Sequence, residues 1–377
     1  MKYCHNPLAV GLVLSALLLA DALMGDRVVY ADTVAGGGVE GPQVIFDSDY
    51  GPDVDDLVAH AVLHALADLG EAEIIAGIVS ISNAKSPGAM NAVDVWHGRP
   101  DIPVGGFAGA VAGGRFNGGP LFPNGGQGES DGDAWAVAIY DAHDQYPRLI
   151  DQDSYEDALS VYRRALRDAD DGSVVIITVG MLNTLSELLQ SPGDEIDART
   201  GADLLSDKVK AVYVMGGRNS GAEFNMRHAP VAASHVAASL PVPIYWSQFE
   251  IGVNIFTGKW ATGDGPDPDH IVRFGMEAYN HVPGSDGHGR QSWDAMNVLV
   301  AIRGAGAGFS FERGVMTIDA DSGASSWNAD AQGPHFRVSK TQQDAHYEKL
   351  LEPLVFTPRS EPAALSRPMP PASIQAD

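Results

Sequence analysis

Cysteine is almost absent from this sequence: Cys4 is the only one among 377 residues. It lies before the apolar run Leu8–Ala20, so it is not placed like the cysteine of a lipoprotein. Removal of the N-terminal segment would leave no thiol. We therefore expect no thiol nucleophile in the mature chain, which can enter an oxidising compartment without disulfide chemistry.

Positive charge is also scarce. Lysine and arginine total 24 against 49 aspartates and glutamates, a formal net charge of -25. Nucleic acids and anionic membrane surfaces are bound by clustered cations, so this composition argues against both as partners. The excess of acid favours solubility instead.

The N-terminal apolar run is too short to cross a bilayer as a mature helix. Lys2 precedes it, and small residues follow at Ala20–Ala22 and Val29–Ala31. This order is typical of an export signal, and an uncleaved anchor is the alternative. We predict that residues 1–31 are a signal peptide and that the mature protein is secreted or periplasmic, with no stable membrane association after cleavage.

The remaining chain is organised around one large domain. Hydrophobic residues make up 45% of the sequence, enough for a sizeable core. Residues 32–42 are Gly-rich and are predicted to be a linker. Residues 43–355 are predicted to form the domain, and residues 356–377 a disordered tail. Residues 105–135 are also Gly-rich, and a loop of that length often lines a site.

Short apolar runs alternate with segments of helical periodicity, which predicts parallel strands in a doubly wound, mostly parallel open α/β sheet. Residues 306–345 look like a small β-hairpin region near the C-terminus. The predicted strands are Val44–Phe46, Ile74–Ile81, Ile102–Val104, Val174–Thr178, Val209–Met215 and Pro243–Trp246. The predicted helices are Val54–Leu69, Tyr155–Asp168, Leu182–Leu189 and Pro230–Ser239.

Five aspartates fall within ten residues of the stretch VIFDSDYGPDVDDLVAHAVLHALADLG, Val44 to Gly70. Apolar residues recur after them at helical spacing and predict one buried helix face. Asp53 suits the N-cap of this helix, and Asp55 and Asp56 suit its first turn, where the helix dipole favours carboxylates.

Capping does not account for Asp47 and Asp49, which end the preceding strand. In α/β sheets the carboxyl ends of strands open into the ligand crevice, and converging carboxylates there need protons or a cation. Oxygen ligands suit Ca²⁺ or Mg²⁺.

An EF-hand loop fits poorly, because Gly51 is fifth rather than sixth and a strand precedes it. A haloacid dehalogenase phosphatase fits the Asp-x-Asp but not the later Asp55-Asp56 pair.

The same stretch resembles the signature of the inosine-uridine nucleoside hydrolase family, Asp-x-Asp-x-Gly-x-Asp-Asp followed by a helix. Here it reads DSDYGPDVDDLVA, with two extra residues before the paired aspartates. GIVSISN, IITVGMLNTL, YVMGG with AEFNM, and SWDAMNVL resemble further family segments in the same order. The resemblance covers roughly Gln43 to Leu354 and implies the family's fold and activity.

The resemblance also implies roles for individual residues. It implies Asp49 as the general base, Asp47 as a support for the loop, and Ca²⁺ as the cofactor. The implied calcium ligands are Asp49, Asp56, the Thr178 carbonyl and Asp294. The implied ribose-binding residues are Asp55, Asn83, Glu223 and Asn225.

Each carried-over residue has an ordinary structural alternative. Thr178 can be a plain strand end, and Asn83 can close a turn after its strand. Glu223 and Asn225 can form a surface loop. Asp294 can be the N-cap of a helix.

The sequence differs from the family pattern at the residue that would help the base to leave. Some family members place a histidine before the late aspartate, and here Trp293 stands there. This resembles a purine-preferring branch that stacks on the base, and a core tryptophan is the alternative. His281 and His288 are further proton donors to consider. Phe116, Phe122 and Trp135 are candidates to cover the base.

Taken together, these residues predict an exported enzyme that uses Ca²⁺ to hydrolyse the N-glycosidic bond of ribonucleosides, a small-molecule substrate. The resemblance implies a homo-oligomer without fixing the number of subunits. A secreted calcium-containing protein that binds nucleosides or sugars without turnover is one alternative. A phosphoesterase with the same acidic crevice is the other.

Overall fold

The apolar runs become the strands of one large sheet in the computed structural model, which describes residues 41–107, 109, 134–258, 267–279 and 289–357. The strands are β1 Gln43–Ser48, β2 Glu73–Val79, β3 Val104–Gly106, β4 Glu156–Asp157, β5 Val174–Thr178, β6 Val209–Met215, β7 Ile244–Ser247, β8 Phe256–Thr257, β9 Arg290–Gln291, β10 Phe309–Ile318, β11 Ser325–Ala329 and β12 His335–Lys340. The order across the large sheet is β11-β10-β12-β7-β6-β5-β1-β2-β3-β4, and β8 pairs with β9 separately.

Helices connect most of these strands. They are α1 Asp55–Asp68, α2 Ser86–Trp96, α3 Ala134–Asp141, α4 Ala158–Asp168, α5 Asn183–Gln190, α6 Gly201–Lys208, α7 Phe224–His228, α8 Pro230–Ser239, α9 Ile271–Tyr279, α10 Trp293–Arg303 and α11 Asp344–Val355. Within the described ranges, no helix is both long enough and apolar enough to span a membrane.

The strand order changes direction at β1, which fixes where a ligand crevice opens. β1 lies between β2 and β5 and is parallel to both. The chain runs outward through β2 and β3 on one side and through β5, β6 and β7 on the other. Such a switch point leaves a crevice beyond the carboxyl ends of the central strands.

Side chains along β1 alternate between two cores, one on each face of the sheet. Val44 and Phe46 pack in the core beside α1, whereas Ile45 packs in the core beside α4 and α5. Helix α1 itself is buried on all sides, with contacts to α10 and α11, and not only along the one face that its periodicity predicted.

The predicted doubly wound sheet is confirmed, and the predicted hairpin region is β10 and β11. This hairpin extends the large sheet, because β10 also pairs with β12 and β12 is parallel to β7. The predicted helices occur as α1, α4, α5 and α8. The segments α2, α3, α6, α7, α9, α10 and α11 are helices that the sequence reading did not predict.

The chain termini lie largely outside the described residues. The predicted signal peptide and most of the linker are among the residues that the structure leaves undescribed, as are residues 358–377. Phe356 packs in the core, and the carbonyl of Thr357 is 2.8 Å from His270 Nε2. The ordered chain therefore continues past the predicted start of the tail.

Candidate active site

A cavity of about 310 Å³ opens at the carboxyl ends of the central strands. Its walls carry carboxylates, arginines and aromatic rings. The acidic residues among them are Asp49, Asp53, Asp55, Asp56, Glu223 and Asp294. The sequence-predicted acids thus converge on one cavity at the switch point of the sheet.

Two helix N-termini supply three of these carboxylates. Asp55 and Asp56 lie in the first turn of α1, Asp294 lies in the first turn of α10, and the two helices pack against each other. The backbone N–H of Asp294 donates to Asp55 Oδ2 at 3.3 Å. Asp294 is not the N-cap of α10, because Ser292 occupies that position.

Asp55, Asp56 and Asp294 form a compact buried group. Each offers a carboxylate oxygen, and these oxygens all lie within 4.8 Å of one another. Burial raises the pKa of all three well above the ordinary value, and repulsion from neighbouring carboxylates of the cavity adds to the effect. The hydroxyl of Ser48 donates to Asp56 Oδ1. An oxygen-only set with this much uncompensated charge fits a hard cation such as Ca²⁺.

Asp49 follows β1 and faces the same cavity while 4% exposed. Burial raises its pKa to about 8, and repulsion from Glu223 and Asp53 contributes. A hydrogen bond with Asp56 opposes that rise. The structure therefore places Asp49 beside the group of three and adds Asp55 to the predicted metal ligands Asp56 and Asp294.

Asp53 has a different partner from the one that its sequence position suggested. Val54, not Asp53, is the N-cap of α1, so the N-cap prediction was wrong. The Asp53 carboxylate instead binds the guanidinium of Arg290, with Arg290 Nε 2.8 Å from Oδ1. Arg290 lies on β9, far along the chain, and nothing in the local sequence indicated the pair.

Glu223 and Asn225 line the cavity from the β6 side and are each 4% exposed, so they are not a surface loop. The Glu223 carboxylate caps α7 by accepting from the backbone N–H groups of Asn225 and Met226. Burial raises its pKa to about 7. Asn225 Nδ2 donates to the carbonyl of Val179 at 2.8 Å, which fixes the amide in the cavity wall.

Thr178 ends β5, and its carbonyl accepts a hydrogen bond from Asn297 Nδ2 at 3.3 Å. Asn297 lies on α10 and also donates to the carbonyl of Tyr213 at 3.2 Å. It therefore ties two strand ends to the helix that carries Asp294. Sequence reasoning missed Asn297, although its place one turn after Asp294 was a usable signal.

Asn83 and Asp47 are not among the described residues that line the cavity. Asn83 Oδ1 accepts from the backbone N–H of Lys85 at 2.9 Å, the geometry of a turn before α2. Asp47 accepts from the hydroxyls of Tyr162 at 2.6 Å and Thr184 at 2.7 Å. It thus anchors the end of β1 to the helices on the opposite face, consistent with a supporting role.

Trp293 forms an aromatic wall of the cavity together with Phe249. The indole N–H donates to the carbonyl of Phe249 at 2.8 Å, and the ring centroids are 5.3 Å apart. Trp293 is therefore not a core residue. Trp135 is one, since it is fully buried against Tyr50, so it does not cover a base. Phe116, Phe122, His281 and His288 lie outside the described residues.

A second buried cluster lies behind the cavity and went unnoticed in the sequence. His60 and His64, one turn apart on α1, place their Nε2 atoms 3.2 Å and 3.0 Å from Asp94 Oδ1. The hydroxyl of Tyr50 is 3.3 Å from His60 Nδ1. Arg99 Nη1 is 3.3 Å from His64 Nδ1.

The Arg99 contact decides what this cluster does. A guanidinium only donates, so His64 Nδ1 accepts and His64 Nε2 carries the proton that it donates to Asp94. A histidine that ligates a metal through Nε2 needs its proton on Nδ1. His60, His64 and Asp94 also place their ligand atoms within 4.8 Å of one another, a spacing that could hold a metal ion, and the two Nε2 atoms are 3.1 Å apart. The Arg99 contact favours a hydrogen-bonded network that braces the loop through Tyr50 over such a metal centre.

Comparisons with known proteins agree with this fold. The structure of an inosine-uridine preferring nucleoside hydrolase from Bacillus anthracis is similar, with 17% identity and a TM-score of 0.61, over 83% of this chain and 99% of that chain. An inosine-guanosine nucleoside hydrolase has 18% identity and a TM-score of 0.60, over 83% and 98%. The type III effector protein XopQ complexed with adenosine diphosphate ribose has 14% identity and a TM-score of 0.57, over 84% and 93%. No curated protein sequence matches the chain.

At these identities the similar structures establish the fold, and the family match rests on the sequence itself. The family model for the inosine-uridine preferring nucleoside hydrolases matches residues 44–348, which contain all the acidic residues of the cavity. The chain therefore belongs to the inosine-uridine preferring nucleoside hydrolases, a family of N-glycosyl hydrolases.

Proposed function

We propose that this protein hydrolyses the N-glycosidic bond of ribonucleosides in a calcium-dependent reaction, releasing free base and ribose. The observation that carries the proposal is the convergence of Asp55, Asp56 and Asp294, with oxygens within 4.8 Å of one another, in the cavity of a nucleoside hydrolase fold. Oxygen-only donors favour Ca²⁺ over the softer transition metals.

Asp56 and Asp294 would hold the cation with Asp55 or Asp49 and the Thr178 carbonyl. When bound, the cation supplies positive charge that lowers the pKa of a water molecule and binds hydroxyl oxygens. Without that charge, burial keeps these carboxyls protonated, as the raised pKa of Asp49 to about 8 indicates. The carboxylates are therefore expected to be ionised only when the cation is bound.

Asp49 would act as general base toward the attacking water, because it lies beside the acidic group and faces the cavity. The remaining carboxylates would stabilise the positive charge that develops on the ribosyl carbon. Asp55, Asn83, Glu223 and Asn225 would bind the ribose hydroxyls. For Asn83 this requires its side chain to serve the substrate as well as the turn before α2.

Trp293 and Phe249 would provide the surface for the base. Both line the cavity, and the indole is fixed by its hydrogen bond to the Phe249 carbonyl. A rigid aromatic wall stacks more extensively on a two-ring purine than on a pyrimidine. We therefore propose a preference for purine nucleosides, with stacking in place of a histidine proton donor.

A binding protein without turnover remains the second candidate. One similar structure is that of an effector protein complexed with adenosine diphosphate ribose, which shows that this fold can be isolated with a bound ribose derivative. A phosphoesterase that uses the acidic crevice is a third candidate.

The deciding experiment measures reducing-sugar release by the mature chain, from Ala31 onward, with inosine, adenosine, guanosine, uridine and cytidine. Release that requires Ca²⁺ and is lost in Asp49→Asn supports the proposal. Asp153→Asn, a change at an exposed carboxylate, is the matched control. Calcium binding with no sugar release would favour the binding protein. Phosphate release from phosphate esters with Mg²⁺, but not with Ca²⁺, would favour the phosphoesterase.

We also propose that the mature protein is exported and forms a homo-oligomer. The export proposal rests on the N-terminal segment, and the oligomer proposal on the family. Cell fractionation and light scattering on the mature protein test these two proposals separately.

A further inference from the structure

Two arginines line the cavity without a carboxylate partner among the residues that the structure describes. Arg218 follows β6 and Arg227 lies on α7, and both face the cavity. No carboxylate of the described residues lies within 4.0 Å of either guanidinium. In a chain with 49 acidic and 24 basic residues, unpaired arginines at a site are unexpected.

Arg218 is held in place by its backbone. Its N–H donates to Ser325 Oγ at 2.8 Å, and the Ser325 hydroxyl is also 2.8 Å from the Arg218 carbonyl. The guanidinium carbon lies 4.7 Å from the centre of the Phe249 ring. Arg218 Nε is buried and has no hydrogen-bond partner within the described chain, so the side chain retains an unused donor.

Arg227 is positioned by the short helix that Glu223 caps. Its guanidinium carbon lies 5.8 Å from the centre of the Phe224 ring, and Phe224 also lines the cavity. Both arginines therefore rest on aromatic rings of the cavity wall and not on acids. Cation–π contact leaves the N–H edge of a guanidinium available for an anion.

The third arginine of the cavity is not available in this way. Arg290 is bound by both oxygens of Asp53, so its charge is already compensated. The free positive charge belongs to the β6–α7 side, whereas Asp55 and Asp294 belong to the N-termini of α1 and α10. One side of the cavity thus suits a cation and the other suits an anion.

A plain ribonucleoside has no anionic group for the second side. Guanidinium groups match phosphate geometry, and their charge-assisted hydrogen bonds to it are strong. We propose that the cavity accepts a ribonucleoside that carries a phosphate, such as a nucleoside 5′-phosphate, with the phosphate bound by Arg218 and Arg227. This inference rests on the proposed function, because it names the substrate class of the same site.

The reaction leaves the phosphate ester intact. A water oxygen forms the bond to C1′ as the bond from C1′ to the base nitrogen breaks. One proton of that water passes to the general base, and the departing nitrogen gains a proton. The products are free base and ribose 5-phosphate, so no phosphate is released.

The test compares base release from inosine and inosine 5′-phosphate, using the mature protein with Ca²⁺. Arg218→Gln and Arg227→Gln are compared with Arg164→Gln, which changes a half-buried arginine on α4, away from the cavity, that pairs with Glu156. We expect each cavity variant to lower the ratio of kcat/KM for inosine 5′-phosphate to that for inosine by about tenfold or more, since bonds to charged groups are strong. The control should leave this ratio unchanged. Inorganic phosphate should inhibit the unmodified enzyme competitively toward the phosphorylated substrate.

Failure of this inference is distinguishable from failure of the proposed function. If inosine is hydrolysed but the ratio does not change in either variant, the arginines serve only as part of the wall and the inference is overturned. If neither compound is hydrolysed, calorimetry with inosine 5′-phosphate decides. Binding that is lost when Arg218 and Arg227 are both changed to Gln would support the phosphate site and exclude the hydrolase activity. Equal binding by this double variant and the unmodified protein would overturn the inference.

Discussion

The backbone N–H of Asp294 donates to the carboxylate of Asp55 at 3.3 Å, across 239 positions of sequence. This bond joins the first turns of α10 and α1, so two helix N-termini point their unpaired N–H groups at one place. Helix N-termini stabilise negative charge. The group of carboxylates is therefore built from two helices whose mutual packing fixes its geometry.

Asp294→Asn tests whether this group binds calcium. The substitution keeps the size and the backbone hydrogen bond but removes one of three buried charges. We expect calcium affinity to fall by about tenfold or more, since site affinity follows the number of charged ligands. Calorimetric titration measures it, with Asp153→Asn as the control. Unchanged affinity in Asp294→Asn would remove this residue from the metal site.

Asp49→Asn tests the general base. The amide cannot take a proton, and loss of a general base typically lowers the rate by about 10²–10⁴-fold. We expect kcat for inosine to fall within that range while KM changes little, because the ribose contacts remain. Steady-state kinetics at saturating Ca²⁺ measure both parameters. A large rise in KM with unchanged kcat would instead make Asp49 a binding residue.

The contribution of these buried carboxyls to the stability of the calcium-free protein should decrease as pH rises. Burial raises the pKa of Asp49 from 3.8 to about 8 and that of Glu223 from 4.5 to about 7. Between the unfolded and folded pKa values the folded state binds more protons, so raising the pH favours unfolding. The stabilisation that Asp49 contributes is fully present below about pH 4. It is lost progressively as the pH rises from there to about pH 8.

Thermal unfolding in chelator at pH 5 and pH 8 measures this dependence. Buried histidines with lowered pKa values, such as His64 and His228, favour the folded state as pH rises, so the comparison is made with Asp49→Asn. From pH 5 to pH 8 the Tm of the unmodified protein should fall more, or rise less, than that of Asp49→Asn, and excess Ca²⁺ should recover most of this difference. Calcium should stabilise least at pH 5, because protons then occupy the carboxylates. The same change of calcium-free Tm with pH in both proteins would contradict the buried, protonated group.

Much of this site followed from local sequence because its signals are local. The strand ending at Ser48 and the helix starting at Asp55 flank the aspartates, so spacing and periodicity located the crevice. The same holds for the parallel sheet, whose β-rich runs alternate with helices. Asp56 and Asp294 met as expected because each lies in the first turn of its helix.

The missing parts depend on contacts that sequence spacing does not encode. Arg290 reaches Asp53 only through the pairing of β8 with β9, and this pair displaced the expected cap. Helix α2 is buried on every side and has Pro87 and Gly88 in its first turn, so neither a polar face nor strong helix propensity marks it in the sequence. Burial on all sides is a property of the assembled layers.

The network behind the site should contribute to stability without holding a metal. Asp94 Oδ1 lies 3.2 Å from His60 Nε2 and 3.0 Å from His64 Nε2 in a fully buried setting. Asp94→Leu removes the oxygen that both imidazoles contact and should cost about 3–5 kcal/mol of unfolding free energy, the range for breaking a buried pair. Asp94→Asn retains an acceptor oxygen and should cost less than Asp94→Leu. Urea denaturation compares the two.

The same two variants test the metal question. We expect the purified protein to contain no stoichiometric zinc or other transition metal, because the Arg99 contact places the proton of His64 on Nε2. Elemental analysis measures the content. Stoichiometric zinc that is lost in Asp94→Asn would show that the cluster is a metal centre and that Arg99 moves away from His64.

Trp293 should set the preference among bases. Its indole is fixed to the Phe249 carbonyl and faces the cavity, so its contribution comes through stacking. Stacking on an aromatic side chain is worth about 1–3 kcal/mol per base. We expect Trp293→Leu to lower kcat/KM for inosine more than for uridine, because a purine offers the larger face, and Trp293→Phe to recover part of the loss. Equal losses for both nucleosides would mean that Trp293 only holds the N-terminus of α10, and that base selection lies elsewhere in the cavity.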